Sequence, residues 1–139
     1  MMARFPSEEW MRAFCEELEA HPRAGEISEA LDGTYRFVVE PAGPLEERHA
    51  YDVAIAPREG GGASVSVIDD GSEPALQLAA NHDRWRQLLQ GKLDVGMAVM
   101  LRRLRIKGDV GRLRSRLDST GPLMDALRSV ETEWLDDPT

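Results

Sequence analysis

A chain of 139 residues with a net charge of −8 and a pI near 4.9 is about one domain of polypeptide, large enough to bury a core without disulfides or a structural metal. Its acidic balance disfavours nucleic acid and anionic membranes, and its longest apolar run, Val95 to Leu101 with Gly96 included, is too short to span a bilayer. A single cysteine, Cys15, excludes an intramolecular disulfide, and the opening MMARFPSEEW lacks a basic segment followed by an apolar one, so a reducing, cytoplasmic setting is expected.

The first 31 residues read as helical. Ser7 can cap a helix whose first turn carries Glu8 and Glu9, and Trp10, Met11, Phe14, Cys15 and Leu18 follow at helical spacing. His21-Pro22 ends that helix. A second, Arg23 to Leu31, buries Ile27, Ala30 and Leu31 and stops at Asp32-Gly33. These are the N-terminal helices, 7–31.

The period then changes to two. Thr34 to Glu40 places Tyr35, Phe37 and Val39 on one face, and His49 to Ala56 does the same with Tyr51, Val53 and Ile55. Ala63 to Ile68 and Ala75 to Ala80 follow, the latter with Leu76 and Leu78 inward. Short turns at REGGG and Asp69-Asp70-Gly71-Ser72 predict a four-stranded antiparallel meander over 34–80.

Helices are predicted over 82–104. Asn81 caps a stripe of Trp85, Leu88 and Leu89 that ends at Gly91, and Asp94 caps a second helix with Met97, Ala98, Met100 and Leu101 on its apolar side. Leu104 to Lys107 is a short fifth strand. After Gly108-Asp109 come the C-terminal helices, 109–135. The first carries Val110, Leu113 and Leu117, and the last Leu123, Met124, Leu127, Val130 and Trp134. The tail LDDPT reads as frayed. The whole chain, 1–139, is one domain.

No catalytic constellation emerges. Gly60-Gly61-Gly62 precedes a strand and no Lys-Ser/Thr pair, so it is a hairpin turn rather than a phosphate loop. His21, His49 and His82 lack metal-ligand spacing, Asp69-Asp70 belongs to a turn, and Cys15 lies on an apolar helix face. No cofactor or metal is implied. One charge feature stands out. Residues 102 to 116 hold Arg102, Arg103, Arg105, Lys107, Arg112, Arg114 and Arg116 against Asp109, which is either a solvated face or a site for an anionic headgroup.

The order of elements and several local words resemble the sterol carrier protein type-two domain family. The carrying residues are Trp85-Arg86-Gln87-Leu88-Leu89-Gln90-Gly91-Lys92-Leu93, then Ala98, then Leu104-Arg105-Ile106-Lys107-Gly108-Asp109, with Leu31 and Gly33 upstream and the turn at Asp69 to Gly71. The resemblance runs from about Trp10 to Val130. It implies an α+β fold, a five-stranded, mostly antiparallel sheet flanked by helices with an apolar cavity or tunnel between them. It further implies non-enzymatic binding and carriage of a hydrophobic ligand such as a fatty acid, fatty acyl-CoA or sterol-like lipid. Carried over by position, Met97, Met100, Leu101 and Leu104 form a cavity wall, and Ile106, Leu113 and Leu117 line or close the same space. Met124, Leu127 and Trp134 form a lid, and Phe37 and Val53 contribute from the sheet. The basic run itself, rather than the resemblance, makes Arg102, Arg103 and Arg105 headgroup candidates. The ending Asp136-Asp137-Pro138-Thr139 is unlike the Ser-Lys-Leu signal of peroxisomal members.

Two positions depart from the family's pattern. Arg102 stands where glycine is common, and Gly96 interrupts a helix at a cost of about 1 kcal/mol relative to alanine, leaving room for close approach. The competing expectation is an interaction or dimerisation module whose cavity is filled and vestigial and which docks a partner enzyme. Nucleic acid and stable membrane insertion are not expected of either, and a homodimer is compatible with both.

Overall fold

Side chains at the helical period build one layer of the fold, and side chains at the strand period build the other. The computed structural model describes residues 3–69, 71, 73–108 and 120–134. A short strand, β1 (Ala3–Phe5), precedes α1 (Glu8–Ala20), which starts at Ser7, whose hydroxyl accepts from the Trp10 amide. The stripe Trp10, Met11, Phe14, Cys15 and Leu18 is buried, and α2 (Ala24–Ala30) adds Ala24 and Ile27. Strands β2 (Gly33–Glu40), β3 (His49–Pro57), β4 (Ala63–Ile68) and β5 (Leu76–Asn81) follow. Then come α3 (His82–Leu89), α4 (Val95–Met100), β6 (Arg105–Gly108), α5 (Thr120–Ser129) and β7 (Thr132–Trp134).

The main sheet has five strands in the order β4-β3-β2-β5-β6, mostly antiparallel, so the fold is α+β as expected. The predicted four-stranded meander is corrected. Only β2, β3 and β4 form one, while β5 crosses back to lie parallel to β2, with Tyr35 opposite Leu76 and Val39 opposite Ala80. Two observations explain this. The Ala75 amide donates to the Thr34 carbonyl at 2.8 Å, which starts β5 alongside β2 rather than β4. Phe37, Val38 and Val39 are all buried, the unbroken apolar run expected of a central strand covered on both faces. β6 then pairs antiparallel with the far edge of β5.

One face of the sheet forms the core. Tyr35, Phe37, Val39, Val53, Ile55 and Val65 pack in one cluster with α1, α2, α3 and the inner side of α5. On the opposite face Arg36 grips Asp52 of the neighbouring strand through two hydrogen bonds of 2.8 and 3.0 Å.

The C-terminal expectation is also corrected. Helix α5 stops at Ser129, and Trp134 belongs to a strand, not a helix stripe. β7 pairs parallel with β1, Ala3 opposite Thr132 and Phe5 opposite Trp134. The Thr132 hydroxyl accepts from the Trp10 indole at 2.9 Å, a contact that fixes an extended backbone there and overrides helical spacing. The predicted helix over Val110, Leu113 and Leu117 lies outside the described residues.

The end of β6 depends on a glycine. Gly108 has φ +118°, and a Cβ there would stand 2.2 Å from the Ala75 carbonyl oxygen. Gly108→Ala is expected to destabilise the fold by about 2–4 kcal/mol, read as a lowered urea midpoint at unchanged slope.

Candidate functional site

Helices α1, α3 and α5 converge on the inner face of β2 and leave a narrow apolar slot. Trp10 and Met11 of α1 form one wall, Phe37 and Val39 of β2 with Tyr51 of β3 the floor, Trp85 and Leu127 the far side, and Phe5 and Pro6 one end. Its free volume is about 10 Å³, room for roughly one water-sized sphere. The slot offers little to a polar guest. The Trp10 indole N–H is taken up by Thr132, and that of Trp85 donates to the Val38 carbonyl at 2.8 Å. The Tyr51 hydroxyl sits 2.9 Å from His49 Nδ1, and burial, with help from Glu8, pushes its pKa up. What faces the slot is hydrocarbon and aromatic carbon. Trp10, Phe14, Phe37, Trp85 and Leu127 pack together around this slot between the described parts of the sheet and helices.

The sequence-predicted lining residues separate into three groups. Phe37 and Leu127 line the slot, Val53 and Leu104 are buried core, and Met124 and Ile106 pack against the core half-buried. Leu113 and Leu117 lie outside the described residues. Met97, Met100 and Leu101 do not form an enclosed wall; they are 47%, 74% and 51% exposed. Ala98 is the buried residue of α4 and Val95 packs half-buried against the core, which leaves Met97, Val99 and Met100 on the outward side of this six-residue helix. Among the described residues the close approach anticipated at Gly96 is not seen: a Cβ there would meet only the Asp94 carboxylate, the helix's own cap, at 3.1 Å. Trp134, expected in the lid, instead stacks edge-on against Phe5 at 5.5 Å and lies under the Arg86 guanidinium at 5.1 Å.

Sequence reasoning passed over Trp10, Met11, Val39 and Trp85 as ordinary core. The available signal was pairwise. Trp10 and Met11 sit on the helix stripe that must face the inward positions of a central strand, where Phe37 and Val39 stand.

The two helices before β6 end in the same motif with different residues. After α3, the Gly91 amide donates to the Leu88 carbonyl at 3.2 Å and the Lys92 amide to Gln87 at 2.9 Å, with Gly91 at φ +74°. After α4, the Arg102 amide donates to Val99 at 3.1 Å and the Arg103 amide to Ala98 at 2.8 Å, with Arg102 at φ +58°. Both are the Schellman closure, which calls for glycine at the left-handed position. Arg102 therefore keeps the turn geometry despite its side chain. Arg102, Arg103 and Arg105 are all exposed and none lines the slot, and Arg105 is paired with Glu40. Arg102→Gly is expected to raise stability by about 1 kcal/mol in urea unfolding, because left-handed backbone costs a Cβ-bearing residue roughly that much.

Two buried polar groups complete the neighbourhood. His82 is fully buried between Phe5 and Trp134, with Nδ1 3.3 Å from the Asp83 carboxylate and, among the described residues, no hydrogen-bond partner on Nε2. Cys15 is buried on α1, and desolvation, with Glu19 nearby, pushes its thiol from 9.0 up to about 12. The folded state holds that proton, so its stability is undiminished below pH 9 and falls as pH rises toward 12, where only the unfolded chain has already ionised. Cys15 is expected to resist iodoacetamide in the native protein at pH 8.5 and to react readily in urea; equal rates in both would contradict the burial.

Comparison with known proteins agrees with this architecture. The family model of the SCP-2 sterol transfer family matches residues 13–115. Among curated proteins, sequence comparison finds no relative. Among solved structures, a protein of Thermus thermophilus whose description points to a sterol carrier protein superimposes with a TM-score of 0.71 at 20% identity, covering 96% of this chain and 93% of that one. A crystal structure of sterol carrier protein 2 gives 0.68 at 20% identity, covering 89% and 97%. A ubiquinone synthesis protein, UbiJ-SCP2, gives 0.53 at 13% identity, covering 84% and 90%. These likenesses concern the fold.

Proposed function

Because the chain belongs to the SCP-2 sterol transfer family, for which lipid or sterol binding or transfer is implied, we propose that it binds and carries a hydrophobic ligand, a fatty acid, acyl-CoA or sterol-like lipid, without performing chemistry on it. The observation that carries this reading is the dry apolar slot between α1, β2, α3 and α5. Binding is burial. Each methylene moved from water into such a space contributes about 0.8 kcal/mol. A slot this small holds no acyl chain as it stands, so the ligand enters by separating α1 and α5 from the sheet, and Met11, with its flexible thioether, is the wall residue best able to repack.

Trp10 and Trp85 both line the slot, which supplies a direct readout. A dansyl-labelled fatty acid is expected to show saturable, tryptophan-sensitised emission with Kd below roughly 100 μM. Organic extraction of the purified protein is expected to release a co-purified lipid. Val39→Phe, which fills the slot, is expected to weaken binding by about tenfold or more while retaining the native circular dichroism spectrum. If no lipid is extracted and no saturable binding occurs, the reading is wrong.

A second reading has its own support. The closed slot and the exposed Met97, Val99, Met100 and Leu101 also fit an interaction module that docks a partner enzyme. The fold likeness to a ubiquinone synthesis protein is compatible with it. Absence of lipid binding together with a stable complex would select this alternative.

A further inference from the structure

The apolar slot has one wall that reaches the surface. Every other residue lining it is buried, and Tyr51 alone is half-buried. Tyr51 also lines a second, open cleft of about 570 Å³. Among the described residues it is the one side chain shared by the two spaces. The cleft is a notch in the sheet. β4 stops at Ile68, opposite Asp52, so His49, Ala50 and Tyr51 of β3 run on with no partner strand on that side among the described residues. Helix α1 borders the notch, with Glu8 and Arg12 in the cleft and Met11, between them in sequence, in the slot.

Tyr51 is also the wall with the most local hold. The Trp10 and Trp85 indoles are fixed by hydrogen bonds to distant elements, at Thr132 and Val38, and Phe5 is packed by Trp134. The Tyr51 hydroxyl is held by His49, two residues back on the same strand, at 2.9 Å, with the two rings stacked 6.0 Å apart. Turning this ring aside breaks a bond within one strand, whereas turning either indole breaks a bond between elements.

The charges of the cleft select the head of the cargo. Arg36 is committed to Asp52 through two hydrogen bonds. Arg12 is paired with Glu8 one helical turn away at 3.4 Å, and both side chains are exposed, so the pair costs little to exchange. Arg48 is exposed and has no ion-pair partner among the described residues. Glu8 and Asp69 line the same cleft, so it suits one negative charge better than several. That favours a carboxylate over the clustered phosphates of an acyl-CoA.

We infer that the cargo is a single-chain fatty acid, that its chain enters the slot past Tyr51, and that its carboxylate stays in the cleft on Arg48 and Arg12. This rests on the carrier reading and gives it an entrance and a headgroup site. In the complex the chain lies where the Tyr51 ring stood, so the bond to His49 is broken in the complex as well as on the way to it.

The test is stopped-flow mixing of the full chain with the dansyl-labelled fatty acid and with its methyl ester. Tyr51→Phe and His49→Ala each remove the bond that must break. Each is expected to raise the association rate about fivefold and to leave the dissociation rate within about twofold of the parent. General loosening of the fold would speed dissociation instead and would overturn the proposal. Arg12→Glu with Arg48→Glu is expected to weaken the acid about fivefold or more and the ester by less than about twofold. Both arginines are exposed, circular dichroism reports whether each variant folds, and His49→Ala leaves the slot wall itself in place. Thr132→Val frees Trp10 at the Phe5 end of the slot. Faster association with that variant than with the two β3 variants would put the entrance there and overturn the proposal, as would an arginine variant that weakens acid and ester alike, or neither. A parent chain that binds the acid at rates no variant changes loses the entrance and the headgroup site and keeps the carrier function; a parent that binds neither probe loses all three.

Discussion

Everything in the core depends on one unbroken line of aromatic contacts. Phe5 meets Trp10 at 4.9 Å, Trp10 meets Phe14 at 6.4 Å, Phe14 meets Phe37 at 5.9 Å, and Phe37 meets Trp85 at 6.1 Å. The line runs from β1 through α1 to the central strand and on to α3. Such pairs contribute about 0.5–1.5 kcal/mol each beyond the area they bury. The same rings that join the layers also occupy the space between them. Cohesion and any open space between the layers therefore compete for one volume.

The sequence was most informative where burial and backbone preference agree. The α1 stripe, the caps Ser7, Asn81 and Asp94, and the inward faces of β2 and β3 all follow from spacing and local hydrogen bonding, and the structure keeps them. It was least informative about pairing. Nothing local distinguishes a strand that turns back on its neighbour from one that crosses to the far side of β2, and only the double burial around Val38 hints at the latter. The C-terminal strand failed for a related reason, since Trp134 fits helical spacing until Phe5 and Thr132 supply the long-range contacts that hold it extended.

The site was legible in half. Phe37 and Leu127 were named, but the α4 residues carried over from the family were expected inside and lie outside. Amphipathic spacing says which residues share a face; it does not say how near that face stands to the core. In α4 the inward positions are Ala98 and Val95, and Met97, Val99 and Met100 share the opposite, exposed side. The two helix ends make a matching point. Gly91 and Arg102 occupy equivalent positions in the same hydrogen-bonded closure, so the turn forms with or without glycine at its left-handed position.

The pairing of β1 with β7 has a mechanical consequence. The two strands run parallel, with Ala3 beside Thr132 and Phe5 beside Trp134, so force applied to the chain at Ala3 and at Trp134 pulls them along their length in opposite directions. The ladder is then loaded in shear, all of its hydrogen bonds strained together rather than one after another, with the Trp10–Thr132 bond and the Phe5–Trp134 stack bearing the same load. Three residues from each end of the described chain thus act as a clasp that holds the core closed against tension.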